Sequence, residues 1–275
     1  METIKTTTEI ITPAKAVEYL TKNVCNRTIN NKCVQVYADD MLHGRWMLNG
    51  EPIIFCKDGA LYDGQHRLKA CIKANVPFMS VVVRGIELDA FTTIDCGKPR
   101  SAADSLKIYG EANSTIAASI LRKYIGLCSN FVTVAKADSS SGMPKISNQQ
   151  VVDMYYKHKD LVNYICHESR LCYDSSKVLR ASDIGGITLY LHIERKHPID
   201  YVVDFFSQLC DRKPTEWGQI RYLRKILIDD SQKRYKMAQQ ARQAYIVKAW
   251  NYYVMKKDVG LFRLKPQFDF GKQFI

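Results

Sequence analysis

One Asp-Gly pair, Asp63-Gly64, separates two patterns of apolar and polar residues. Before it, residues 52–56 (PIIFC) form an apolar run rich in β-forming residues, residues 57–59 (KDG) have the composition of a turn, and residues 61–62 resume the apolar run. This pattern predicts a β-hairpin. After the pair, apolar residues recur at the spacing of one helix face. We expect a strand, a glycine turn and a helix to follow one another within three residues.

Similar patterns predict the neighbouring elements. Thr12 followed by Pro13 is typical of a helix start, and a second helix is expected to begin at Asn30 or Asn31 and to end at Gly44. Residues 78–84 are a continuous β-branched run, which predicts a strand buried on both faces. These helices are expected to pack on the sheet that the strands form.

The second half of the chain has a helical pattern and no internal repeat. A last strand is expected over residues 91–94, a linker over 139–144, and helices over about 116–127, 147–165, 182–194, 199–210 and 218–257. The sequence therefore predicts an α+β fold, with a domain over residues 1–110 and a mostly α-helical region with basic C-terminal helices over residues 111–275.

Composition limits the class of protein. The chain has 275 residues and is 46% apolar, enough to bury a full core. Its nine cysteines form no Cys-X-X-Cys pair, which favours a reduced, cytoplasmic compartment. No apolar stretch has the length of a membrane span and the N-terminus lacks the apolar core of a signal sequence. A soluble protein without a membrane partner is expected.

Basic charge is concentrated at the C-terminal end. The net charge is +12, and residues 211–275 alone carry 15 Lys and Arg against six Asp and Glu. A surface that binds a polyanion needs such a concentration, because each neutralised phosphate releases condensed counterions. The alternative is a solvated helix surface whose charge serves only solubility.

The helix that is predicted to begin after Gly64 has the chemistry of an anion site. A helix start carries partial positive charge and unpaired N–H groups, and a glycine there lets an anion approach. Arg67 can grip a phosphate through two parallel N–H bonds, and Asp63 can hold a metal ion carried by that phosphate. In the simpler alternative, Asp63 caps the helix, Arg67 forms a surface ion pair and His66 packs.

Several short motifs occur in a fixed order between about residues 10 and 110: NR at 26–27, YADDM at 37–41, GRW at 44–46, GEPIIF at 50–55, DGQHR at 63–67, VVRG at 82–85 and IDCGKPRSAAD at 94–104. Their order and spacing resemble the ParB N-terminal, or ParB/sulfiredoxin, superfamily, and especially a mostly uncharacterised phage and bacterial branch of it. If the chain is encoded by a phage, its cytoplasmic location is that of the host.

The resemblance implies a small mixed sheet with flanking helices and a strand–turn–helix that contacts nucleotide phosphates. The matching positions are Gly64, Gln65, His66 and Arg67. Family members bind and hydrolyse CTP on DNA, or use ATP, so the resemblance implies a nucleoside triphosphate (CTP or ATP) with Mg²⁺. The Gly-Glu-Arg-Arg box of partition proteins is altered here, which leaves the base open. The sulfiredoxin cysteine after the glycine is absent, so sulfinate reduction is not expected.

A second helix start is predicted near residue 101. Ser101 followed by Asp104 resembles a capping box, and Lys98 and Arg100 lie beside the positive end of that helix. Arg84, at the end of a predicted strand, is a further phosphate candidate, because ligands gather at strand ends in layered α/β folds. The alternative for the 97–104 segment is a well-capped helix with a basic turn.

Four residues are left with open roles. Glu51 and Asp63 are candidates for a catalytic acid or base, and Asp63 also for a metal ligand. Arg27 matches an Arg of the family pattern and is either a second anion contact or a surface residue. Asp95 is a metal ligand, a general base or a turn former.

The last predicted helical region, over residues 218–257, interleaves basic and aromatic side chains, a composition that can follow a phosphate backbone and stack bases. The DNA-binding candidates are Arg221, Arg224, Lys225, Lys233, Arg234 and Lys236. Aromatic residues at three- and four-residue spacing, such as Tyr235 and Tyr245, are expected in the core instead.

Two functions follow from these observations. The first is a nucleotide-binding, DNA-associated protein whose basic C-terminal helices contact DNA. The second is an enzyme of the same fold, such as a nucleotide-dependent phosphotransferase, a hydrolase or a nuclease. The chain has no dense carboxylate cluster of the kind that two-metal cleavage needs. The sequence does not determine the oligomeric state, and a homodimer is one possibility.

Overall fold

The fold is seen in a computed structural model that describes residues 4–24, 26, 28–87, 90, 100–133, 146–265 and 274–275. These residues form four strands and 11 helices, which confirms the α+β class. The chain divides into two compact units. The first comprises Met1–Ser101 with Pro144–Gln150, and the second comprises Ala102–Met143 with Val151–Ile275.

The first unit contains a mixed four-stranded sheet. Its elements are β1 (Lys5–Ile11), α1 (Pro13–Thr21), α2 (Asn31–Leu42), β2 (Ile53–Cys56), β3 (Leu61–Asp63), α3 (Gln65–Ala74) and β4 (Phe78–Ile86). The strand order is β1-β4-β2-β3. Strand β4 is antiparallel to β1 and parallel to β2, while β2 and β3 form an antiparallel pair. The predicted hairpin and the helix that follows it are therefore confirmed.

Local capping explains where the first two helices begin. The Thr12 side chain accepts a hydrogen bond from the Lys15 N–H at 3.2 Å, and Pro13 occupies the first turn of α1. The Asn30 side chain accepts hydrogen bonds from the backbone N–H groups of Lys32 and Cys33 at the start of α2. Both predicted helix starts are confirmed.

Helices α1, α2 and α3 pack on one face of the sheet. The buried side chains of this core include Ile11, Tyr19, Val34, Ala38, Met41, Ile53, Phe55, Leu68, Cys71, Phe78 and Val82. The prediction that residues 78–84 are buried on both faces is wrong, because Met79 on the other face is 49% exposed. The strand is central in the sheet, yet only its helix-covered face is sealed.

The remaining helices are α4 (Ala102–Ile108), α5 (Ser114–Thr133), α6 (Asn148–Lys157), α7 (Lys159–Ser176), α8 (Ala181–Ile193), α9 (Ile199–Leu209), α10 (Gly218–Gln232) and α11 (Gln239–Val254). Gly185 and Gly186 allow α8 to approach α5 closely, since a Cβ on Gly185 would lie 2.5 Å from Ile120 Cδ1 and one on Gly186 would lie 2.4 Å from Lys123 Cγ. Among the described residues, no helix is long and apolar enough to span a membrane.

The helical region predicted over residues 218–257 consists of two helices, because a turn separates α10 from α11. Asp230 is fully buried near the end of α10, where its carboxylate accepts a hydrogen bond from the Met237 N–H at 2.7 Å and pairs with Arg242. A local side chain–backbone bond of this kind competes with helix continuation. The core of this region is instead built around Trp250, which is fully buried and packs edge-on against Phe205.

Candidate functional site

The start of α3 requires a glycine. Gly64 has φ = +106°, and a Cβ there would lie 3.0 Å from Ile53 Cγ1 on the neighbouring strand β2. Helix α3 begins immediately after this residue, with no side-chain cap from position 64 and no acidic residue in its first turn. The local geometry that favours an anion is thus present.

Arg67 is directed into the protein. Its guanidinium donates hydrogen bonds to the backbone carbonyl of Glu51, to the carbonyl of Pro52 at 2.7 Å and to the Asp63 carboxylate at 2.7 Å. The residue is only 8% exposed. The two side chains predicted to bind phosphate and metal are therefore each other's partners, and Arg67 ties α3 to the chain that enters β2. Gripping a phosphate would require these bonds to break.

The other two residues of the motif contact the connector between α1 and α2. The Asn23 side-chain amide donates to Gln65 Oε1 at 3.2 Å, and the Asn30 N–H donates to His66 Nε2 at 2.9 Å. A neutral His66 consequently carries its proton on Nδ1. In the same connector, Asn26 donates to the Leu61 carbonyl at 2.8 Å. These hydrogen bonds hold the first turn of α3 against the connector, and the polar groups that form them are bonded to one another.

Arg84 belongs to a second internal network. It donates to the Glu9 carboxylate and to the Tyr19 hydroxyl, both at 2.7 Å, and its guanidinium lies 5.4 Å from the centre of the Phe55 ring. Lys15 pairs with the same carboxylate at 2.6 Å. Burial alone would raise the pKa of Glu9, but the hydrogen bonds from Arg84 and Lys15 outweigh it and hold that pKa well below its usual value. The charge of Arg84 is thus largely neutralised inside the first unit.

The two remaining candidates of the first unit are exposed. Glu51 contributes its backbone carbonyl to Arg67, and Arg100 contributes its carbonyl to the Asn148 side chain at 2.7 Å. The helix expected after Ser101 is α4, which has only seven residues and therefore a small dipole. Arg27, Lys98, Asp95 and the predicted elements at 91–94 and 139–144 lie outside the described residues. Within the described part of the chain, no group of three or more His, Cys, Asp or Glu side chains could hold a metal ion.

A polar cluster to which the sequence patterns assigned no function lies at the end of α2. Arg45 pairs with Asp39 and with Asp40, the latter at 2.8 Å. Ser147 donates to Asp40 and Gln150 donates to Asp39, both at 3.0 Å. Asp39, Asp40 and Arg45 lie in the YADDM and GRW motifs. Their partners Ser147 and Gln150 lie about a hundred residues later in the sequence, in a segment with no motif that would indicate the contact. The cluster joins the 147–150 segment to α2.

The basic residues of α10 are used in two ways. Arg224 donates to the carbonyl of Leu209 at 2.9 Å, to that of Gln208, and to the Asp211 carboxylate at 2.7 Å. It thereby satisfies carbonyls at the end of α9, a structural role that was not predicted. Arg221 and Lys225 are exposed, and Arg221 donates to the Thr215 carbonyl at 3.2 Å.

The turn between α10 and α11 presents four consecutive exposed residues, Lys233, Arg234, Tyr235 and Lys236, which we call the basic turn. Tyr235 is 81% exposed, so the prediction that it packs in the core is wrong. The Arg234 guanidinium lies 5.6 Å from the centre of its ring, and Lys236 donates to the Ser231 carbonyl. None of the three cations forms a salt bridge with any residue that the structure describes.

Comparison with known proteins leaves the family open. No protein-family model, curated protein or solved structure matches the chain. The resemblance to the ParB/sulfiredoxin superfamily therefore stays a hypothesis that depends on the motifs between residues 26 and 104.

Proposed function

We propose that this protein binds nucleic acid, and specifically DNA, through the basic turn and the adjacent exposed residues of α10. The observation that carries the proposal is the exposure of Tyr235 between three cations that form no salt bridge with any described residue. The Tyr235 ring is left exposed to solvent, with the Arg234 guanidinium 5.6 Å from its centre. Its position beside Lys233, Arg234 and Lys236 suits a ligand with both phosphates and planar bases.

The chemistry of each group supports this assignment. Lys and Arg side chains contact phosphates, which supplies most of the affinity of non-specific nucleic-acid binding. An exposed aromatic ring can stack on a base, and every base offers such a face. Arg221 and Lys225 add two exposed cations on α10, with the exposed Asp229 between them and the basic turn. Arg224 is excluded from this surface, because its guanidinium is bonded to α9 carbonyls.

The proposal is tested by measuring DNA affinity by fluorescence anisotropy at low salt. The triple variant Lys233→Ala, Arg234→Ala, Lys236→Ala removes the cations of the basic turn. The control Lys107→Ala, Lys157→Ala, Arg170→Ala removes the same charge from exposed positions elsewhere in the second unit. We expect the first variant to bind about tenfold more weakly or worse, and the control to bind within about twofold of wild type. An equal loss of DNA affinity in the two triple variants would mean that only net charge matters, and would contradict the proposal.

A nucleoside triphosphate at the start of α3 is the second candidate. Support comes from Gly64, whose left-handed conformation opens a ten-residue helix without a side-chain cap or an acidic first turn. The residues around it do not fit a triphosphate as they stand, since Arg67, Gln65 and His66 already have partners within the first unit. Thermal unfolding with each nucleotide and Mg²⁺ tests the site: nucleotide binding would raise the melting temperature, and an unchanged value at millimolar nucleotide would contradict it.

A further inference from the structure

Strand β1 leaves one edge of the sheet open. It pairs with β4 on one side, and no described strand pairs with its other side. Residues 4–8 and 10 are exposed, and no described strand accepts or donates backbone hydrogen bonds along the outward side of β1. A long exposed edge is a template for pairing with another strand, and proteins usually shorten, bend or cover it.

The sequence of this edge is self-complementary when it is paired with itself. Residues 4–10 are IKTTTEI. An antiparallel pair about a two-fold axis at Thr7 places Ile4 opposite Ile10 and Lys5 opposite Glu9. Thr6 then faces Thr8, and Thr7 faces its own copy. In this register no like charges face each other and apolar residues meet apolar residues.

Neighbouring registers lack this match. Side chains alternate between the two faces of a strand, and two residues directly opposite each other point to the same face. If both copies keep their helices on one face of the joined sheet, opposite residues are therefore both even-numbered or both odd-numbered, and the two-fold axis must pass through a residue and not between two residues. An axis at Thr6 would pair Ile4 with Thr8, and one at Thr8 would pair Ile10 with Thr6. Both registers leave an isoleucine against a threonine.

The outer face of the sheet supplies an apolar contact for the same register. Ile4 and Ile10 are 58% and 61% exposed, and Ile10 lies opposite Met79, itself half exposed, in the β1–β4 pair. Pairing of two copies would place the Ile4 of each opposite Ile10 of the other, with Met79 on the far side of Ile10 in the same row. Glu9 already accepts from Arg84 and Lys15, so the isoleucine pairs and the backbone bonds, rather than the Lys5–Glu9 pair, select the register.

We propose that β1 pairs with β1 of a second copy of this chain, antiparallel about an axis at Thr7, so that one sheet runs through both copies. The pairing is independent of nucleic-acid binding, since it uses only the first unit. The alternative is that Lys5 and Glu9 act as charges that protect the edge from pairing, in which case the protein is a monomer.

The full-length protein tests the proposal by analytical ultracentrifugation over its soluble concentration range, where we expect a monomer–dimer equilibrium. Ile10→Lys should raise the dimer dissociation constant about tenfold, because it replaces both isoleucine pairs across the axis. Val17→Lys is the matched control, since Val17 is 53% exposed on α1 and is not part of the strand. It should leave the constant unchanged.

Oxidative cross-linking tests the register. Thr7→Cys places two thiols opposite each other at the axis, whereas Thr8→Cys faces Thr6 and lies out of reach of its own copy. With wild type as the baseline for the native cysteines, Thr7→Cys should give several-fold more covalent dimer than Thr8→Cys. A monomer at every concentration, a dimer that Ile10→Lys leaves intact, or equal cross-linking of the two cysteine variants would each overturn the proposal.

Discussion

Arg67 and the basic turn both carry positive charge that suggests phosphate binding from the sequence, yet Arg67 is buried in the structure and the basic turn is exposed. The Arg67 guanidinium is buried and bonded to two carbonyls and a carboxylate. Lys233, Arg234 and Lys236 are exposed, and the ring between them is the most exposed large aromatic side chain among the described residues. The Arg67 guanidinium donates its hydrogen bonds within the fold, whereas the cations of the basic turn are exposed and form no salt bridge with any described residue.

The difference shows that charge and motif do not tell where a cation's hydrogen bonds go. Arg84 and Arg224 repeat the lesson, since one is neutralised by Glu9 and the other satisfies the end of α9. A cation with satisfied partners stabilises the fold, while an exposed cation contributes to long-range attraction of an anion. The comparison leads to predictions that separate stability from binding.

Arg67→Ala should have the largest effect, and it should be on stability. Removing the guanidinium leaves the Asp63 carboxylate and the carbonyls of Glu51 and Pro52 without their donor, which should lower the free energy of unfolding by about 3–5 kcal/mol. Urea denaturation measures this change. Arg67→Lys, which keeps the charge but not the planar fork, should recover only part of it. An Arg67→Ala protein as stable as wild type would show that the internal bonds are dispensable, and would return Arg67 to the candidates for ligand binding.

Asp230→Ala should damage the basic turn without removing any basic residue. The substitution deprives the Met237 N–H and Arg242 of a buried acceptor, which should cost about 2–4 kcal/mol of unfolding free energy. It should also weaken DNA binding, because the turn loses its anchor. Asp229→Ala, an exposed neighbour, is the control and should change stability by less than about 0.5 kcal/mol. Unchanged stability in Asp230→Ala would refute the anchoring role.

Tyr235→Ala should affect binding and leave the fold intact. Loss of one stacked base costs about 1–3 kcal/mol with single-stranded nucleic acid, so affinity should fall by at least fivefold. Tyr235→Phe should retain most of the affinity, because the ring remains. Circular dichroism and thermal unfolding should match wild type in both variants. If Tyr235→Ala binds single strands as tightly as wild type, the ring makes no contact with bases.

Glu9→Gln should lower the unfolding free energy at neutral pH by less than the Arg67 and Asp230 substitutions do, and this loss should shrink in acid. Because the pKa of Glu9 is depressed in the folded protein, its stabilising contribution is complete above the unfolded value of 4.5 and is lost as pH falls toward the folded value. Below about pH 4.5 the wild-type unfolding free energy should therefore fall more steeply than that of Glu9→Gln, by at most about 1.4 kcal/mol per pH unit. Parallel acid profiles of the two proteins would mean that Glu9 is not held by Arg84 and Lys15.

Local patterns predicted the elements that depend on neighbouring residues. The hairpin, Gly64 and α3 follow from turn chemistry and helical spacing within a few positions, and Thr12 and Asn30 cap their helices as expected. Strand β1 was not predicted, because its threonine-rich, charged sequence has no apolar alternation and its partner β4 is some seventy residues later. Residues 5–11 form a strand because they pair with β4.

The candidate site was less predictable, for the same physical reason. Two of the three acceptors of Arg67 are backbone carbonyls 15 and 16 residues earlier, and a carbonyl has no sequence signature. Tyr235 has the spacing of a core residue on one continuous helix, but Asp230 ends that helix and turns the ring outward. Helical spacing is informative only while the helix continues.

The central claim, that the basic turn contacts phosphates, is tested most directly by the salt dependence of DNA binding. Each phosphate contact contributes about 0.9 to the slope of log affinity against log salt concentration for duplex DNA. Lys233→Ala, Arg234→Ala, Lys236→Ala should reduce the magnitude of that slope by about 2–3. The control that removes Lys107, Lys157 and Arg170 should leave it unchanged. Equal slopes for wild type and the basic-turn variant would contradict the account.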